Sequence, residues 1–242
     1  MNDVPESFVR SKIIPRKHAA AFLSMYREIQ QGSPHSSCTV EILAADGKYY
    51  WNTITMTTVF NGQHKPVRAI GVVENITQHK EMEYAYPLMK DWVDYIDRKD
   101  GERSEKHYLF DFGFHFGDWL ALDGATPTSF KGSTDDNYIG SVYYCESVRK
   151  TAEIAEKLGL DIDTKRYREL GEKIRRAILN EYFTPNGRLA VTTQAAYVIA
   201  LKFGIYVDRE CLIAQFKDRL KRDGNEIKCG FVGAPLLCTV LA

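Results

Sequence analysis

The chain carries no excess of charge of either sign: lysine plus arginine is 32 and aspartate plus glutamate is 32. Its basic residues are also scattered, so nothing draws it to DNA, RNA or an anionic membrane, and neither nucleic acid nor membrane is an expected partner. It lacks any window approaching the roughly 18 apolar residues of a membrane span. The N-terminal stretch MNDVPESFVRSKIIPRK has no apolar core of signal-peptide length. Cysteine is scarce, at five residues: Cys38, Cys145, Cys211, Cys229 and Cys238. They form no C-x-x-C pair and no metal-ligand spacing. Their number is odd, which reads as reduced, mostly buried thiols in a cytoplasmic protein. The six histidines, His18, His35, His64, His79, His107 and His115, show neither H-x₃-H nor H-E-x-x-H spacing, so no metal is expected. Gly113 to Gly117 lacks the Lys-Ser/Thr that completes a phosphate loop, and no serine sits in a G-x-S-x-G context. No cofactor is expected.

What is present is ordinary for a globular protein: 242 residues, 44% hydrophobic and 26% charged, room for one large domain or two small ones. The fourteen tyrosines suit a carbohydrate-binding surface and a large core equally well. The hydrophobic period changes partway along. From Lys17 to Gln31, Phe22, Leu23, Tyr26 and Ile29 recur at helical spacing, and Gly32, Ser33 and Pro34 end the helix. Three extended runs follow, Cys38–Ala44, Lys48–Phe60 and Val67–Ile76, rich in Thr, Val, Ile, Tyr and Trp. Asp46-Gly47 and Asn61-Gly62 between them are hairpin signals. The expected outcome is a helix followed by an antiparallel three-stranded meander, which needs a partner on its apolar face.

After Thr77 the period is helical, with segments expected near residues 78–97, 136–158, 163–183, 191–204 and 208–222. Gly159, Gly187, Gly204 and Gly224 fall at or just past their ends. Short loops between them imply antiparallel helical hairpins. The long stretch Asp97–Asp135, rich in Gly, Asp and aromatics, is the exception, and long loops in compact helical domains are often functional.

The segment from about Pro5 to Glu83 resembles the C-terminal half of a PAS domain, through FLSMYREIQQG, DGKYYWNTITMTTVF and KPVRAIGVVENITQHKEME. The usual closing Asp-Ile-Thr here reads Asn75-Ile76-Thr77, without the aspartate and its salt bridge. The resemblance implies either a sensor module or a scaffold without ligand. The strands that precede this half in a full PAS fold are not matched, and an incomplete pocket favours the scaffold.

From Tyr86 onward the chain resembles the catalytic domain of bacterial α-L-rhamnosidases, a six-hairpin (α/α)₆ toroid. The matching stretches are YPLMKDWVDYI, FGFHFGDWLALDG, STDDNYIGSVYYCESVRKTAEIAEKLG, TQAAYVIALKFGI and CGFVGAPLLCTVLA, in family order. The resemblance implies a sugar pocket at one end of the toroid and inverting hydrolysis of terminal α-L-rhamnose, for which an acid and a base flank the scissile bond. The family's acid motif lies upstream of the matching segment and its base motif downstream, and neither appears here. The expected catalytic set is therefore empty, and no turnover is expected from this chain alone.

The expected architecture is α+β: a partial PAS-like module at 1–83 and a partial all-α toroid at 84–242. The function the resemblance implies is an α-L-rhamnosidase-like glycoside hydrolase fragment with a rhamnoside as partner. The alternatives are a PAS-containing sensor with a helical carbohydrate-binding or output module, and a fragment without activity. Asp118 and Trp119 lead the candidate substrate-binding residues, because an aromatic ring takes the apolar face of a sugar while a carboxylate takes its hydroxyls. Packing of Trp119 in the core and loop capping by Asp118 is the plainer alternative. His115, Phe116 and Tyr143 complete the set, with core packing the competing role for Tyr143. Asp111, Asp123, Asp135 and Asp136 are weak substitutes for an acid–base pair, and Asp135 or Thr134 reads more simply as a helix N-cap. Incomplete edges on both parts are expected to expose apolar surface and favour self-association.

Overall fold

The computed structural model describes residues 4–124, 126 and 128–242. The chain divides into two compact units, Met1–Tyr84 and Ala85–Ala242. Its fold class is α+β.

In the first unit α1 (Val4–Arg10) and a 3₁₀ turn at Arg16–His18 precede α2 (Ala19–Gln30). Strands β1 (His35–Leu43), β2 (Tyr49–Phe60) and β3 (Pro66–Asn75) form one antiparallel sheet in the order β1-β2-β3. Alternation explains the sheet's inner face. Cys38 and Val40 of β1 and Ile54 of β2 turn toward Phe22 and Met25 of α2, with Ile14 closing the cluster. The first hairpin turns at Asp46-Gly47, where Asp46 Oδ1 accepts from Lys48 N at 3.0 Å. The second departs from the expected Asn-Gly turn. Asn61 Oδ1 accepts from Gln63 N and Lys65 N, and the left-handed residue is His64, with φ 56°. Asn75 replaces the missing aspartate with a local bond, its Oδ1 accepting from Thr77 N at 2.9 Å. Every residue of β3 is exposed.

Helix α3 (Thr77–Gly101) contains the boundary between the units, and Pro87 within it cannot donate to the carbonyl of Glu83. The second unit continues with α4 (Asp136–Lys157), α5 (Asp161–Tyr182), α6 (Gln194–Phe203), α7 (Arg209–Arg222) and α8 (Ala234–Leu241). Tyr138, Val142, Val148 and Ala152 of α4 pack with Tyr167, Leu170, Ile174 and Ile178 of α5 in a core that also takes Val93 and Ile96 of α3. Helix α6 is nearly all apolar, and from Gln194 to Ala200 every residue is buried, between α4, α7 and α8. Asp135 is the N-cap of α4, accepting from Tyr138 N at 2.7 Å. Gly204 closes α6 with φ 71°, where a side chain would be strained.

The expected helices stand with ends shifted by a few residues. The helix expected at 78–97 runs on to Gly101, so the long loop begins later than Asp97. Helix α1 and the 3₁₀ turn lie outside the sequence reading, because seven residues carry too little period to be seen.

Candidate functional site

The loop between α3 and α4 is tied down by Asp118, which is 1% exposed. Its Oδ2 accepts from Gly230 N at 2.8 Å and its Oδ1 from Val232 N at 3.0 Å. The two segments also pair through their backbones. Phe231 N donates to Trp119 O at 2.9 Å and Leu122 N to Lys228 O at 3.0 Å. Gly230 is required here, since a Cβ would lie 2.2 Å from Trp119 O and 2.6 Å from Ala121 N. Burial pushes the Asp118 carboxyl upward, and the backbone N–H groups of Gly230 and Val232 oppose the shift. Both oxygens are thus engaged by the main chain. As a direct ligand for sugar hydroxyls Asp118 is badly placed; it braces the loop.

Trp119 behaves differently. It is 36% exposed and stacks on Phe130, with ring centroids 5.7 Å apart and planes 16° from parallel. The two rings sit on facing chain segments, joined where Leu120 N donates to Phe130 O at 2.6 Å and where Gly132 N donates to Asp118 O at 3.0 Å. Phe116 meets Trp119 edge-on at 6.3 Å, and Phe114 meets Phe116 at 5.1 Å. Phe114, Phe116 and Phe130 are all exposed, so four aromatic side chains share one solvent-facing patch. The Lys131 ammonium lies 5.8 Å from the Phe114 ring and pairs with Asp136. Leu120 beside Trp119 is held at φ 58°, a conformation a leucine rarely adopts and one that the flanking bonds impose.

His115 and Tyr143 pack against other rings. The imidazole packs edge-on against Phe110 at 4.5 Å and over Gly140 of α4, where a Cβ would come within 2.7 Å of the ring. Its Nε2 is buried, with no hydrogen-bond partner among the described residues. Tyr143 is half-buried, its ring edge-on to Phe203 at 5.2 Å. Burial, then the nearby Asp118, raises the pKa of its hydroxyl. Of the five candidates, the structure joins Phe116 and Trp119 on one surface, places Asp118 beneath them, and gives His115 and Tyr143 contacts of their own.

The substitute carboxylates are all engaged. Asp111 pairs with Arg103, which offsets the effect of burial and holds its carboxyl below the usual range. Asp123 accepts from Ser133 N at 3.1 Å, Asp135 caps α4, and Asp136 pairs with Lys131. Phe114, Phe130 and Lys131 carry no sequence signal that marks them for this patch. Phe130 is eleven residues from Trp119 in an irregular segment, and only the pairing of Leu120 with it reveals the stack. Gln194 carries no such signal either. It is fully buried, donates to Asp223 Oδ2 at 2.6 Å and Glu226 O at 2.8 Å, and accepts from Lys228 N at 3.0 Å. It therefore fixes the far side of the segment that Asp118 holds.

Residues 71–242 match the bacterial α-L-rhamnosidase 6 hairpin glycosidase domain. The chain belongs to that family. An α-L-rhamnosidase of Alteromonas sp. (strain LOR) is 32% identical over 168 residues, covering 67% of this chain and 18% of the relative. One from Formosa agariphila (strain DSM 15362 / KCTC 12365 / LMG 23005 / KMM 3901 / M-2Alg 35-1) is 29% identical over 164 residues, covering 66% and 17%. The chain thus spans less than a fifth of the curated α-L-rhamnosidases it matches. Among solved structures, the Streptomyces avermitilis α-L-rhamnosidase complexed with L-rhamnose aligns with TM-score 0.54 and 26% identity over 66% of this chain and 14% of that one. The native enzyme from Aspergillus terreus aligns with TM-score 0.58 and 25% identity over 66% and 18%. The helical unit is therefore a partial six-hairpin toroid. No helix among the described residues is long and apolar enough to cross a membrane.

Proposed function

We propose that residues 85–242 are the sugar-holding portion of an α-L-rhamnosidase catalytic domain, with Trp119 as the platform on which the apolar face of L-rhamnose rests. The observation that carries this reading is the exposed Trp119–Phe130 stack, anchored from below by the two bonds of buried Asp118. An exposed aromatic surface is costly in water unless something covers it, and a deoxy sugar has both a C–H face and a methyl group to offer. Phe116 extends the platform at right angles. Asp118 acts by positioning Trp119, and no sugar contact is assigned to it. No residue is assigned as catalytic acid or base, so the chain by itself is assigned binding and no turnover. A cytoplasmic setting accords with the buried free thiols of Cys38, Cys145 and Cys229.

The N-terminal unit supports the scaffold reading over the sensor reading. The hollow between its helices and sheet, lined by Phe8, Phe22, Ile42, Ile54, Met56 and Val73, measures about 200 Å³. That is below the roughly 300 Å³ at which ligand pockets begin.

The test is a titration of L-rhamnose followed by tryptophan fluorescence, with Trp119→Ala and Asp118→Ala beside the parent chain. Saturable quenching in the parent, lost in Trp119→Ala and weakened in Asp118→Ala, is expected. Equal response in the parent and in Trp119→Ala would remove the platform.

A further inference from the structure

The edge strand β3 presents backbone and side chains that fit its own copy. Its ten residues are all exposed, while β1 and β2 bury alternate positions. Val67, Ile70, Val72 and Val73 are each more than half exposed, at 58%, 52%, 64% and 57%. A long apolar edge of this kind is the kind of site that accepts another strand. The opposite edge, on β1, is already in part occupied, since Leu43 N donates to Ile13 O at 2.9 Å.

Hydrogen-bond parity decides which groups of β3 are free. Asn52 stands opposite Asn75, so Trp51 stands opposite Ile76, and Ile76 N donates to Trp51 O at 2.8 Å. On the other side of β2, Thr58 N donates to Pro34 O at 2.9 Å, which turns the even residues of β2 toward β1 and its odd ones toward β3. Thr53, Thr55 and Thr57 oppose Glu74, Val72 and Ile70, so those even positions of β3 bond within the sheet. Ala69, Gly71 and Val73 therefore point N–H and C=O outward. A second strand must meet them with groups of the same parity.

We propose that β3 pairs antiparallel with β3 of a second copy of this chain, in the register that sets Gly71 opposite Gly71. Ala69 and Val73 then exchange backbone bonds across the two-fold axis, as do the two Gly71 residues. Arg68 of each copy falls opposite Glu74 of the other, and Ile70 falls opposite Val72. Sliding either strand to the neighbouring registers of the same parity sets Arg68 against Val72 or Ile76, so this register alone pairs the charges. Among the described residues neither Arg68 nor Glu74 has an ion-pair partner of its own. Within one chain the two are six positions apart on one strand, roughly 20 Å, too far to meet. Glycine at the axis leaves the two backbones free to close.

Sedimentation of the full chain over a dilution series tests this, with Arg68→Glu, Glu74→Arg, the double exchange and Gly71→Pro. The parent should dimerise. Each single reversal puts like charges opposite each other twice and should weaken the dimer about tenfold, while the double exchange restores it. Gly71→Pro removes an N–H that its own sheet does not use, and a Cβ there comes no nearer to Met56 Cγ than 3.8 Å, so it should abolish the dimer and leave the fold. Amide exchange supplies a second readout: Ala69, Gly71 and Val73 should gain protection with concentration, while Ile70 and Val72 are protected throughout. A parent that stays monomeric overturns the proposal. So does a dimer indifferent to Gly71→Pro, or single reversals that the double exchange fails to rescue.

Discussion

Replacing Asp118 by alanine removes the acceptor for Gly230 N–H and Val232 N–H while leaving the donors in place. Bonds to a charged acceptor contribute about 1.5–3 kcal/mol each, and a buried donor left alone incurs its desolvation cost. The bond to Gly230 is buried, so its donor has no ready access to water; the bond to Val232 is partly exposed, so that donor can be rehydrated. Removing the carboxylate also relieves its own burial, which offsets part of the loss. The sum is a destabilisation of about 3 kcal/mol for Asp118→Ala. Asp118→Asn keeps one acceptor and points an amide donor at the other N–H, so about half the loss is expected there. At about 2–4 °C per kcal/mol for a domain of this size, the alanine variant should lower Tm by about 6–12 °C. Urea unfolding followed by far-UV circular dichroism, with thermal melts beside it, measures both. A loss under about 1 kcal/mol for the alanine variant would refute the bracing role, since two charge-assisted bonds cannot be worth so little.

Gly230→Ala should be as damaging as Asp118→Ala, because its Cβ meets the backbone at Trp119 O and Ala121 N; an unchanged melting temperature would contradict the close approach. Asp163 is held below the usual carboxylate range, first by the hydrogen bond from Tyr86 and then by Lys90. Its contribution is therefore complete above the unfolded value near 3.9 and is lost as pH falls through the lower folded value. Asp163→Asn should flatten that part of the acid-melting curve and leave a constant deficit at neutral pH; parallel curves for the two proteins would count against it. Burial pushes the thiols of Cys145 and Cys229 up to about 12, so in a native thiol assay exposed Cys238 should react first and those two only on unfolding. Early labelling of Cys145 would show the α4–α5 core to be open.

Periodic elements were legible because their signals are local. The stripe Tyr167, Leu170, Ile174 and Ile178 specifies one face of α5, and Thr, Val and Ile runs specify β1 to β3. Asp135 as the N-cap of α4 was readable from its position before an apolar run. The site was legible only in part. The motif Gly117-Asp118-Trp119-Leu120 drew attention to the loop that carries the exposed aromatic patch, yet the division of labour inside it depends on contacts across more than a hundred residues. Asp118 meets Gly230 and Val232, and no local pattern announces a carboxylate bound by distant main-chain amides. Phe130 was invisible for the same reason. Exposed apolar edges were expected from the incomplete parts, but that β3 is the open one follows only from the strand order, in which it pairs with β2 on one side.

The most direct test of the account is the set of tryptophan indole N–H resonances during titration with L-rhamnose. Trp51 lies in β2 and Trp92 in α3, so they serve as internal references for Trp119. A saturable shift of the Trp119 signal alone is expected, with Kd on the order of millimolar because few contacts offset the cost of ordering the sugar. D-Glucose, which lacks the methyl group, should move it less. A Trp119 signal that stays fixed to saturating sugar, or one that moves no more than those of Trp51 and Trp92, would contradict the assignment of this surface to L-rhamnose.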